Sequence, residues 1–148
     1  MIRPYKASDF GDIENIYNTS KKDEFAGENS SIAVTPLSDD KKMLDLFHTS
    51  NIYVFEKPDV VGFSGVKEAY ISWLFVHPDF RRQGIGKELV LHMLSKVNGE
   101  VSLNVVRSNI AATNLYKNLG FQVTEEFTGK FQNNPIVAWK MSIMKNDD

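Results

Sequence analysis

Apolar residues recur along this chain with two periods, one helical and one alternating, and the switches between them mark out its elements. Residues 2–5 read as a short opening strand. Phe10, Ile13, Ile16 and Tyr17 then fall at helical spacing behind Ser8, the predicted N-cap, with Asp9 and Asp12 near the positive end of the helix dipole. A polar stretch at 21–36 is expected to be flexible, as is the tail at 145–148. A second helix is expected to begin near Ser38, with Met43, Leu44, Leu46 and Phe47 as its apolar positions. From Asn51 the pattern turns to strands. Residues 52–55 and 60–66 flank the turn-forming Lys57-Pro58-Asp59, and a third strand, 69–76, follows a tight connection at Lys67-Glu68. Pro78 ends that strand, because proline cannot donate to the ladder. Ile85, Leu89, Val90, Met93, Leu94 and Val97 share one helix face at about 100° per residue. A strand at 101–105 and a short helix at 111–118 come next, the helix stopping at Gly120, which suits the left-handed C′ position. Strands at 121–127 and 136–144 complete the chain. The predicted order is β-α-α-β-β-β-α-β-α-β-β, an α/β fold on a mixed sheet whose central strands are too apolar for exposure on both faces.

Composition narrows the choices without naming one. At 148 residues the chain suits one domain over 1–148, since two halves would have poor cores. With 42% hydrophobic and 24% charged residues it reads as globular. A net charge of -2, from 17 basic and 19 acidic side chains, lacks the basic excess that phosphate neutralisation demands, so no nucleic-acid partner is expected. The absence of cysteine removes disulfides, thiolate metal sites and a cysteine nucleophile. His48, His77 and His92 lack metal-ligand spacing, so no metal is expected. No apolar run reaches the roughly 18 residues of a membrane span, and the N-terminus lacks the apolar core of a secretory signal. A cytoplasmic location with no membrane partner is the expectation, and a homodimer through the last strands stays open.

The chemistry concentrates at Arg81-Arg82-Gln83-Gly84-Ile85-Gly86, between a strand and an amphipathic helix. Glycine lets the backbone approach an anion closely, the helix start presents N–H groups without intrahelical partners, and the arginines add charge-assisted bonds. The competing reading is an ordinary strand-to-helix turn. Two other phosphate loops do not fit. A Walker A loop needs Gly-Lys-Ser/Thr, whereas Lys87-Glu88 follow Gly86, and the dinucleotide fingerprint needs a third glycine.

This segment resembles the acetyl-CoA signature of the GNAT N-acetyltransferases, Arg/Gln-x-x-Gly-x-Gly/Ala, with Arg81, Gly84 and Gly86 in register. Val76-His77-Pro78-Asp79-Phe80 resembles that family's approach to the loop, and the stretch from Asn109 through Ala112 and Tyr116 to Gly120-Phe121 resembles its second signature. The resemblance implies a GNAT-like fold with a bulged strand before the loop and a splay between residues 73–76 and 102–105. It implies an acetyl-CoA-dependent N-acetyltransferase acting on a primary amine of a small molecule or peptide, by direct attack on the thioester. It also implies acetyl-CoA contacts from Leu74, Phe75 and Val76, from Arg81, Arg82, Gln83, Gly84, Ile85, Gly86 and Lys87, and from Asn109, Ala112 and Tyr116.

In that reading Tyr116 is the general acid, since a phenol of pKa about 10 can protonate a thiolate whose conjugate acid lies near 8.5. By its spacing alone Tyr116 also fits a core aromatic. The general base is either a carboxylate, with Glu68 taken first and Glu56, Glu24 and Glu28 as alternatives, or a water chain leading to bulk solvent; His77 reads as a turn residue. Glu24, Glu28, Asp23 and Phe25 in the polar stretch, and Phe131 and Trp139 near the last hairpin, border the implied acceptor side. A non-catalytic acyl-CoA sensor is the main rival, because it needs the cradle but not Tyr116.

Overall fold

The computed structural model describes residues 1–25, 27–28, 34–131 and 133–145. Its elements follow the predicted order: β1 (Ile2–Pro4), α1 (Phe10–Ser20), α2 (Lys41–Thr49), β2 (Asn51–Glu56), β3 (Val60–Lys67), β4 (Tyr70–Val76), α3 (Ile85–Ser95), β5 (Gly99–Val106), α4 (Ile110–Asn118), β6 (Gln122–Phe131) and β7 (Asn134–Lys145). The strands form one sheet in the order β1-β2-β3-β4-β5-β7-β6. Neighbours run antiparallel except β4 and β5, which are parallel because the α3 crossover joins them.

The alternation of each strand sends apolar side chains to both faces. On one face Ile13, Ile16 and Tyr17 of α1 and Phe47 of α2 pack on Val54, Phe63, Trp73 and Phe75. On the other, Val90, Met93 and Leu94 of α3 and Tyr116 of α4 pack with Ile71, Val101, Leu103 and Met141. Helix α3 approaches β3 closely at Gly62, where a Cβ would stand 3.2 Å from the Phe75 carbonyl oxygen and 3.3 Å from Ile85.

The helix starts differ from expectation. Ser8 lies inside a 3-10 turn, Ala7–Asp9, and does not cap α1. Asp9 holds that corner instead: its carboxylate accepts two bonds of 2.8 Å from the Arg3 guanidinium and one of 2.9 Å from the Lys6 N–H. Those bonds hold its pKa below the ordinary value against the opposing effect of burial. Ser38 likewise sits in a 3-10 turn, Leu37–Asp39, and Asp40 caps α2 by accepting from the Met43 N–H at 3.1 Å. Of the stretch expected to be flexible, Lys21–Phe25 forms a further 3-10 turn with Phe25 buried, while residues 26, 29–33 and 146–148 lie outside the described residues. Gly120 has φ +104°, and the bonds Gly120 N–H to Lys117 O and Phe121 N–H to Tyr116 O, each 3.0 Å, close a Schellman motif. Among the described residues no helix is long and apolar enough to cross a membrane.

Candidate functional site

The parallel pairing of β4 with β5 opens as soon as it begins. Its register contains a single pair, Tyr70 with Ser102, joined by the Ser102 N–H to the Ala69 carbonyl at 3.0 Å. The register of β4 on β3 slips between Gly65–Trp73 and Val66–Ile71, so Ser72 is the extra residue of a bulge. The bulge bends β4 away from β5 just beyond the pair. The His77 N–H bonds to Val61 O at 2.8 Å, so by alternation Leu74 and Val76 aim their backbone groups into the gap. The Val76 carbonyl is occupied there, accepting from Ser20 Oγ and Arg81 Nε, each at 3.3 Å. The backbone N–H groups of Leu74 and Val76, with the Leu74 carbonyl, line the gap.

At the open end of the gap stands the glycine loop. Arg82 and Gly84 both have positive φ, +62° and +81°, and Gly84 leads directly into α3. No side chain caps this helix, so the N–H groups of its first turn point outward. A Cβ on Gly84 would meet nothing within 4 Å, whereas one on Gly86 would touch Leu115 at 3.5 Å. Gly84 is therefore required by its conformation, whereas the contact at Gly86 is ordinary van der Waals packing that a methyl group would accept. Arg81 is engaged by Asp23, which ties the loop to the Lys21–Phe25 turn. Lys57, which the sequence pattern gave no reason to single out, comes from the β2–β3 turn and donates to Gln83 Oε1 at 2.8 Å.

Tyr116 is buried against Phe121, with ring centroids 5.6 Å apart. Its pKa is raised strongly, first by burial and then by the negative charges of Glu24 and Tyr70. Tyr70 stands beside Ser102 on the α1 side of the sheet, and Tyr116 packs on the α4 side. Tyr70 is raised by burial as well, opposed by its hydrogen bonds with Asn104. Glu24 itself is held by Lys21 Nζ at 2.9 Å. On the same face β5, β6 and β7 carry no helix, and a groove of about 490 Å³ runs over Tyr70, Ser102, Asn104, Glu125, Phe127 and Lys140. Phe25 stacks on Phe131 with ring centroids 4.5 Å apart.

The other sequence candidates scatter. Glu68 is exposed in the β3–β4 turn at φ +58°, and Glu56 is taken up by Arg3 at the far side of the sheet. Glu28 accepts from the Ser108 hydroxyl. Asn109 caps α4, accepting from the Ala112 N–H at 3.4 Å, and His77 accepts from the Asp79 N–H within its turn. Trp139 does not border the groove. It pairs with Val105 and therefore faces α4, with Lys117 Nζ 4.8 Å above its ring and its Nε1 donating to Glu126.

A gap between parallel strands that ends on an uncapped helix start is the frame the glycine signature implied. The family model of the acetyltransferase (GNAT) family matches residues 13–121. The chain belongs to that family. Over 73 residues it is 40% identical to peptidyl-lysine N-acetyltransferase YjaB of Salmonella typhimurium, a stretch covering 49% of this chain and 50% of YjaB. The chain thus spans about half the length of that relative. Its fold superposes on the ribosomal-protein-S18-alanine N-acetyltransferase of Escherichia coli with a TM-score of 0.77 at 18% identity, covering 100% of this chain and 95% of the other. It superposes equally broadly on YncA of Salmonella typhimurium, solved with its cofactor acetyl-CoA, at a TM-score of 0.76 and 17% identity.

Proposed function

We propose that this chain is an acetyl-CoA-dependent N-acetyltransferase that moves an acetyl group onto a primary amine. The observation that carries the reading is the gap between β4 and β5, which opens toward an uncapped helix start behind the glycine loop. The cosubstrate fits the residues present. The first-turn N–H groups of α3, with Arg82 and Lys87, hold the diphosphate, and Gly84 leaves that space open. The N–H groups of Leu74 and Val76 bond the pantetheine arm as an added strand would. Arg81 braces the loop on Asp23 rather than serving the diphosphate first.

When bound, the thioester supplies an electrophilic carbonyl and a thiolate leaving group. An amine entering over the groove is protonated near neutrality, with an amine pKa of about 10.4, and must lose a proton before it attacks. Glu24 takes that proton in this reading in place of Glu68, because it lies in the Lys21–Phe25 turn that Asp23 ties to the glycine loop, whereas Glu68 is exposed in the β3–β4 turn. Tyr116 is a neutral donor throughout the neutral range, since burial resists its ionisation, and it delivers its proton to the departing sulfur.

The test measures acetyl-CoA binding by calorimetry and thiol release against amino acids, polyamines, peptide N-termini and lysine peptides. Binding with amine-dependent thiol release is expected. Tight binding with no acceptor across these classes would favour the sensor, and no binding would end the reading.

A further inference from the structure

Lys21 is an amine already inside the site. It directly follows Ser20, whose hydroxyl bonds the Val76 carbonyl at the gap, so the end of α1 is pinned against β4. Its side chain is 13% exposed and turns inward rather than to solvent. The ammonium nitrogen lies 5.7 Å from the ring centroid of Tyr17 and 5.8 Å from those of Phe25 and Phe75. Its carboxylate partner is Glu24 at 2.9 Å. Phe75 lies between Leu74 and Val76, the residues that line the gap. Amine and carboxylate therefore stand together beside the strand whose backbone lines the gap. The aromatic faces that hold an ammonium would also hold an acetyl methyl.

We propose that Lys21 is acetylated by the chain's own active centre, an inference that rests on the acetyltransferase reading above. The Lys21 ammonium gives one proton to Glu24, and the free amine attacks the thioester carbonyl of acetyl-CoA. The Nζ–C bond forms and the C–S bond breaks. The sulfur takes the Tyr116 proton, the second proton lost by nitrogen restores Tyr116 through solvent, and Glu24 passes its proton to solvent. The products are acetyl-Lys21, coenzyme A and one released proton. Acetylation removes the charge at position 21 and releases Glu24 from its ion pair.

The full chain is incubated with acetyl-CoA, and site occupancy is read by peptide mass spectrometry. Lys22, exposed and adjacent, reports the uncatalysed background. Lys21 is expected to acetylate at least about tenfold faster than Lys22, or about 1.4 kcal/mol in barrier. Its rate per molecule should not change on dilution of the protein. Tyr116→Phe should lower the rate at Lys21 and leave Lys22 alone while the fold persists by circular dichroism. Equal rates at Lys21 and Lys22, or a Lys21 rate unaffected by Tyr116→Phe, overturn the proposal. The same preparation is assayed for coenzyme A binding and for acetylation of added amines. Acetylation of an added amine with Lys21 untouched sinks this inference alone, whereas failure to bind coenzyme A sinks the functional reading with it.

Discussion

Tyr116 illustrates how burial sets the chemistry of a side chain. A phenol in water ionises near pH 10, but this one loses hydration on folding, so its pKa moves upward. A raised pKa means that the stability contributed by the neutral phenol is present below about pH 10 and lost only above it. The proton donor is therefore retained as the solution becomes alkaline, and kcat is expected not to fall between about pH 8 and 10. Replacing Tyr116 by Phe should lower kcat by about 10²-fold while calorimetry shows unchanged coenzyme A affinity. Asp9 shows the opposite sign. Its folded pKa is depressed, chiefly by Arg3, so its contribution is present above the unfolded value of about 3.9 and lost as pH falls through the folded one. Asp9→Asn should cost about 2 kcal/mol in urea unfolding at pH 7, a difference that shrinks below about pH 4. Neither shift is written in residue type. Ser8 was the more obvious cap by sequence, and Asp9 took the corner because Arg3 reaches it from β1.

At the level of elements, the two glycine-bearing boundaries do different work. Gly120 ends α4 in the left-handed region, where a Cβ would also stand 3.2 Å from Ile143. Gly120→Ala should destabilise the fold by about 1 kcal/mol, read from the urea midpoint, without altering the coenzyme A dissociation constant. Gly84 has positive φ as well, but beside open space. Gly84→Ala should cost about 1 kcal/mol in stability and, in addition, weaken coenzyme A binding in calorimetry, because the loop N–H groups turn with the backbone. Strands, helices and their order were readable from period and punctuation, since burying one face forces side chains into register with the pleat or the helical turn. The 3-10 turn Lys21–Phe25 was not. Its residues are polar and unpatterned, and Phe25 is buried by stacking on Phe131, which lies more than a hundred positions away.

For the whole molecule the narrow join between β4 and β5 has mechanical consequences. The sheet is continuous by antiparallel ladders on either side, yet one pair and the helices beneath connect its two parts there. A ligand that bonds both walls of the gap should stabilise the whole chain. At a coenzyme A concentration about 100 times the dissociation constant the gain is about 2.7 kcal/mol, and thermal unfolding should show it as a raised Tm that NAD and ATP do not reproduce. Hydrogen exchange should slow at Leu74 and Val76 in the same experiment. An equal Tm rise with all three ligands would mean that the loop merely collects phosphates.

Taken by itself, the order of residues determined the elements, the left-handed break at Gly120, the glycine loop at the head of α3 and the family to which the chain belongs. These depend on neighbours a few positions apart, where sterics and period act directly. The tertiary structure alone decided that Glu24 pairs with Lys21 while Glu68 stays exposed, that Trp139 turns away from the groove, that Lys57 joins the loop and that Lys21 lies among three rings. Each of those facts depends on which strands become neighbours and which face each side chain takes. A side chain carries no local signature of the distant partner it will meet, because that encounter is made by packing of the whole sheet.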